Sequence, residues 1–104
     1  MKLTDLNPKF LGNGGDGVTL DGEPVPRREG VGLRFDCPCG CPSPCFVYLE
    51  NPLDGKPFDT RGAPQWKRVG EDFETLTLTP SIQRYEPCPK RWHGFITNGE
   101  IITV

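Results

Sequence analysis

This sequence predicts a mainly β fold: one small antiparallel domain with a cysteine knuckle, long loops and little helix. Three stretches carry the prediction. Thr75-Leu76-Thr77-Leu78-Thr79 alternates strictly between apolar and β-branched polar residues, the period of a half-buried strand with Leu76 and Leu78 facing inward. Asn98-Gly99 sits between Trp92-His93-Gly94-Phe95-Ile96-Thr97 and Glu100-Ile101-Ile102-Thr103-Val104, the signature of a two-residue type I′ hairpin whose turn residues both take φ > 0. Cys37-Pro38-Cys39-Gly40-Cys41 places three thiols at alternate positions, and no stretch reads as a helix of three turns.

In chain order, residues 1–30 read as loop and turn. Leu3, Leu6, Phe10 and Leu11 suit one helical turn, which Pro8 interrupts. Gly12-Asn13-Gly14-Gly15-Asp16-Gly17 matches the dinucleotide-binding fingerprint formally, but no apolar strand precedes it and no helix follows. Val18-Thr19-Leu20 reads as a short strand, Asp21-Gly22 as a turn, and Glu23-Pro24-Val25-Pro26 as an extended edge that its prolines keep out of a sheet centre. Gly32-Leu33-Arg34-Phe35-Asp36 runs as a strand into the knuckle, and Phe46-Val47-Tyr48-Leu49 leaves it as a second. Residues 51–64 are turn chemistry, and Trp66-Lys67-Arg68-Val69-Gly70 is another strand. Pro80-Ser81-Ile82 reads as the start of one helical turn capped by Ser81.

Length and composition set bounds on this fold. The 104 residues suffice for one domain with a modest core: a loop-rich arm over residues 1–30 and a metal-stapled core over residues 31–104. Thirteen glycines and twelve prolines approach a disordered composition, yet ten aromatic residues argue against disorder. A small β domain needing a staple reconciles the two. The first 65 residues carry seven basic and nine acidic side chains, and the remainder five of each. No basic stripe marks a nucleic-acid surface, no apolar run is long enough to cross a bilayer, and the N-terminus lacks a secretory h-region. A cytoplasmic location is expected, and in that compartment clustered cysteines bind metal more often than they form disulfides.

The metal chemistry follows from spacing. Neighbours at i and i+2 on an extended strand stand about 6.5–7 Å apart, too far for two sulfurs on one zinc with bonds of about 2.3 Å. The knuckle must curl, and Pro38 and Gly40 are residues suited to turning it. Downstream, Cys88 lies between two prolines and His93 is the single histidine. The expected Zn²⁺ ligands are Cys37, Cys39, Cys41, Cys88 and His93, one of them redundant, with Cys45 a buried thiol at the start of the next strand. Zinc is favoured over an iron–sulfur cluster because mixed Cys/His sites are its common structural form.

Three segments, Phe35-Asp36-Cys37-Pro38-Cys39-Gly40-Cys41, Leu76-Thr77-Leu78-Thr79-Pro80-Ser81-Ile82 and Trp92-His93-Gly94-Phe95-Ile96-Thr97-Asn98-Gly99-Glu100, resemble a family of short phage and prophage zinc-knuckle proteins of unknown function. Some members carry the label "ammonia monooxygenase", which a chain with one histidine and no apolar span does not fit. Related domains stand beside bacterial ubiquitin-like modification genes, so the resemblance implies a metal-binding accessory module. The expected role is a non-catalytic, zinc-stabilised module that binds a protein partner. The alternatives are a zinc-dependent hydrolase using Glu86, Asp36 or Glu100 as base, or a nucleic-acid accessory using Arg84, Lys90, Arg91 and the faces of Trp66 or Trp92. The deaminase and H-E-x-x-H signatures are both absent.

Overall fold

A computed structural model describes residues 1–13, 28–55, 60, 62–85 and 87–104. The stretch from Gly14 to Arg27, parts of the 51–64 loop and Glu86 lie outside the described residues, and with them most of the fingerprint match, the 18–20 strand, the Asp21-Gly22 turn and the 23–26 extended edge. The fold is mainly β, as its alternating stretches predict. Among the described residues seven strands form one curled sheet in sequence order: β1 (Lys9–Asn13), β2 (Arg28–Phe35), β3 (Cys45–Leu49), β4 (Gln65–Val69), β5 (Thr77–Gln83), β6 (His93–Thr97) and β7 (Glu100–Thr103). All neighbouring pairs are antiparallel except β3–β4. Among the described residues no helix is long and apolar enough to cross a membrane.

The core fills one face of the sheet. Leu33 and Phe35 of β2, Val47 and Leu49 of β3, Leu78 and Ile82 of β5 and Ile96 of β6 are buried, each two or four residues from the next on its strand, as the pleat requires. Leu76 joins them just before β5, so both inward leucines of the alternating stretch are in the core.

Two segments differ from the sequence expectation. Leu3–Leu6 forms a single 3-10 turn, stopped before Pro8, but Lys9–Asn13 is a strand rather than loop, paired with β2 through Lys9↔Arg34 and Phe10↔Leu33. Pairing with a partner distant in sequence decides such a segment, and local composition does not show it. The turn's Leu3 and Leu6 are buried, the Leu3 amide donates to the Gly99 carbonyl at 2.9 Å, and Ile101 donates to Met1 at 2.8 Å, so the N-terminal residues lie along β7. Pro80-Ser81-Ile82 is likewise not helical. It lies within β5, where register passes from Leu78↔Ile96 to Ile82↔Gly94, a bulge that puts Thr79, Pro80 and Ser81 against Phe95.

The hairpin expected at Asn98-Gly99 joins β6 to β7, with φ of 48° and 75° at the two turn residues. A Cβ on Gly99 would run into the Glu74 carbonyl, so glycine is needed there for space as well as for its φ.

The parallel β3–β4 step has no helical crossover among the described residues, and a side-chain lock holds it instead. Asn51 donates to the Arg68 carbonyl at 2.8 Å and accepts from the Arg68 amide at 2.7 Å, while the Arg68 guanidinium donates to the carbonyls of Asn51 and Gly70. Replacing Asn51 by Ala leaves a half-buried β4 amide and carbonyl without these partners. A loss of about 1–3 kcal/mol in urea unfolding is expected.

Candidate functional site

Two turns bring the cysteines together. The strand β2 ends at Phe35, and the chain curls so that the Gly40 amide donates to the Cys37 carbonyl at 2.9 Å with Gly40 at φ +88°. Cys88 heads a second turn of the same kind, in which the Arg91 amide donates to the Cys88 carbonyl at 3.2 Å and Arg91 sits at φ +47°. The four sulfurs of Cys37, Cys39, Cys41 and Cys88 lie within 4.8 Å of one another, and this group could hold a metal ion. Cys37 Sγ is 3.7 Å and Cys39 Sγ 3.6 Å from Cys88 Sγ, and the first two are 3.2 Å apart. Tetrahedral zinc with bonds of about 2.3 Å has S–S edges of about 3.8 Å, close to two of these three separations. All five cysteines are free thiols, and Cys45 is buried at the start of β3, outside the group.

Electrostatics differ sharply from thiol to thiol. The Trp92 amide bonded to Cys88 outweighs burial and, with the Cys39 and Cys37 thiols, lowers the Cys88 pKa to about 6. Burial pushes Cys41 up to about 11 and also raises Cys37, against the pull of the Cys39 amide. Arg84 faces the group. Its guanidinium donates to the Ser43 carbonyl at 2.7 Å and to Ser43 Oγ at 3.2 Å, and its Nη1 is 3.9 Å from Cys41 Sγ. Burial works against that cation, but the sulfurs of Cys37, Cys45 and Cys88 outweigh it and raise its pKa. Four thiolates on a divalent ion leave a double negative charge, which Arg84 offsets in part. In the sequence this residue reads only as one member of a basic cluster, because nothing local ties it to a knuckle more than 40 residues away.

The direction of these shifts favours the thiolate at Cys88 and the protonated thiol at Cys37 and Cys41. Metal must expel those protons on binding. Apparent zinc affinity is expected to rise steadily from pH 6 to pH 9, and zinc added at pH 7 in weak buffer should release protons that an indicator dye can count.

His93 stands apart from the four sulfurs. It opens β6, and its Nε2 lies 3.0 Å from Ser81 Oγ on β5. Both side chains are half-buried. The bulge in β5 accounts for the meeting. Gln83 pairs with His93, Ser81 lies two residues back on the same face, and the bulge aims it diagonally at the ring. Trp66 Nε1 donates to the Ser81 carbonyl at 3.2 Å and fixes the bulged backbone. With its proton on Nδ1, the imidazole presents the Nε2 lone pair to the Ser81 hydroxyl, the arrangement of a nucleophile and its base.

One loop joins the two features. Residues 84–92 connect β5 to β6, and their ends are drawn together by the Arg84 amide on the Trp92 carbonyl at 2.8 Å. Gln83 straps the same neck by donating to the carbonyls of Arg84 and Arg91, both at 2.9 Å. Cys88 lies in the middle of this loop, so the thiol group and the Ser81–His93 pair share one short span of backbone.

Fold and site together define a small β protein that pairs a four-thiol clamp with a serine–histidine couple. A family model described as "Bacterial ubiquitination-like system serine protease (BubE)" matches residues 18–104. The chain belongs to that family. No curated protein and no solved structure matches it.

Proposed function

We propose that this protein is a serine peptidase of a bacterial ubiquitination-like system, with Ser81 as nucleophile and His93 as base. The observation that carries this reading is the 3.0 Å contact between Ser81 Oγ and His93 Nε2, in a chain whose family is described as a serine protease. Ser81 Oγ adds to the carbonyl carbon of the scissile peptide or ester while His93 Nε2 takes the hydroxyl proton. The tetrahedral adduct collapses as His93 passes that proton to the leaving nitrogen or oxygen, which leaves an acyl group on Ser81. Water, deprotonated by the same histidine, releases the acyl group and restores the serine. The protein partner is a ubiquitin-like protein, cleaved at its C-terminal tail.

Zinc at Cys37, Cys39, Cys41 and Cys88 is the structural partner of this chemistry. Four thiolates close a tetrahedral site and leave no position for water, which is the pattern of a structural ion. Free thiols in such number agree with a reducing cytoplasm. Bound through Cys88, such an ion would anchor the 84–92 loop, whose ends lead to Ser81 on β5 and His93 on β6.

A second reading, a non-catalytic zinc module that binds a partner protein, is favoured by the closed four-thiol set alone. Incubation with a ubiquitin-like protein of such a system, extended beyond its C-terminal tail by a fluorophore, separates the two. Peptidase function predicts release of the fluorophore, and the second reading predicts binding without release.

A further inference from the structure

Among the described residues, several large apolar side chains lie exposed, and two of them form a cross-strand pair. Phe95 of β6 is 39% exposed and Ile102 of β7 is 48% exposed, and the register sets them opposite one another. Phe95 lies two residues after His93, so the pleat puts both on the same face, away from the buried Gly94 and Ile96. On its other side Phe95 opposes the β5 bulge that carries Ser81. Directly opposed residues of an antiparallel pair have Cβ atoms only about 4.5–5.5 Å apart. Phe95 thus adjoins the nucleophile and its base and Ile102 flanks Phe95, with Thr79 and Thr97 beside them and the exposed Lys67 and Glu100 one strand further out.

We infer that Phe95 and Ile102 form the specificity subsite of the proposed peptidase, taking one apolar side chain of an extended substrate peptide next to the bond that Ser81 attacks. This rests on the Ser81–His93 reading. The spacing supports it: alternate residues of an extended peptide stand about 6.5–7 Å apart, the same step that separates His93 from Phe95. A peptide laid over this face with its scissile carbonyl at Ser81 therefore sets a neighbouring side chain over the Phe95–Ile102 pair. An acidic or amide side chain there loses hydration against two apolar side chains, whereas Leu or Ile buries apolar surface on both. The occupant is an apolar tail residue of the substrate.

The test uses quenched-fluorescent peptides that differ only in having Leu, Gly or Asp at one position, scanned across the four residues on each side of the cleaved bond. At one position the wild-type protein is expected to favour Leu over Asp by at least about tenfold in kcat/KM, with most of the difference in KM. Phe95→Asp should erase that preference, and Ile102→Asp should weaken it. Val69→Asp, also exposed but on β4, should leave the Leu-to-Asp ratio as it is. An undiminished preference in Phe95→Asp overturns the inference. So does a wild-type dimer that Phe95→Asp dissolves without altering the preference, since the pair would then join two copies of the chain. Should no peptide be hydrolysed, amide-shift mapping of the Leu peptide on the wild-type protein distinguishes the two claims. Shifts at Phe95 and Ile102 uphold the subsite while the nucleophile assignment fails, and no shifts there overturn the subsite as well.

Discussion

Ser81→Ala and His93→Ala are each expected to lower kcat on a cleavable tail substrate by about 10³–10⁶, with melting temperature and zinc content nearly unchanged. The large effect follows from division of labour. Serine without a base is a poor nucleophile at neutral pH, and imidazole without the serine has no acyl acceptor, so removal of either abolishes the same step. The small structural effect follows from burial, because neither side chain belongs to the packed core. The double variant should be no worse than either single one, since the two act as a unit. Zinc content measured on His93→Ala also checks the metal assignment. If the ring were a ligand, the metal would be lost along with activity.

Cys39→Ser is expected to unfold the domain. Zinc bound by small thiolate sites is worth apparent free energies of about 10–16 kcal/mol at neutral pH, against a net stability of about 5–15 kcal/mol for a domain of this size. Removing one of four thiolates takes away a substantial share of the first quantity, and a chelator should have the same effect on the intact protein. Far-ultraviolet circular dichroism, with elemental analysis of the same sample, reads both outcomes together. Cys45→Ala is the control. It removes a buried thiol outside the four-sulfur group, so metal should be retained with a stability loss on the order of 1 kcal/mol. A folded, metal-free Cys39→Ser of normal stability contradicts the structural role given to zinc.

The parts of this fold that follow from local chemistry were legible in the sequence. Asn98-Gly99 forms its turn because few other residues accept two consecutive positive φ angles, and the 75–79 alternation puts two leucines in the core because the pleat leaves no alternative. The cysteine knuckle likewise announces itself by spacing. What the sequence hides depends on register. Lys9–Asn13 becomes a strand only because β2 lies beside it. Ser81, which resembles a helix cap, becomes a candidate nucleophile because β5 takes extra residues between Leu78 and Ile82 and meets β6 out of step. His93 reads in the sequence as a candidate metal ligand because it follows Cys88 closely, whereas the β5–β6 register turns its ring toward Ser81. A serine two strand positions before Gln83, itself paired with the lone histidine, is a signal visible only once that pairing is known. Arg84 is hidden for the same reason, since its knuckle partner Ser43 lies 41 positions earlier.

The proposed activation of Ser81 by His93 beside the four-thiol group is open to direct chemical test. Labelling the zinc-loaded protein with a fluorophosphonate and locating the adduct by peptide mass spectrometry tests it most directly. A single adduct on Ser81 is expected, and it should disappear in His93→Ala and after zinc is removed. A folded, zinc-loaded protein that takes no label at Ser81, or takes it equally well without His93, would rule out Ser81 as a nucleophile activated by that histidine.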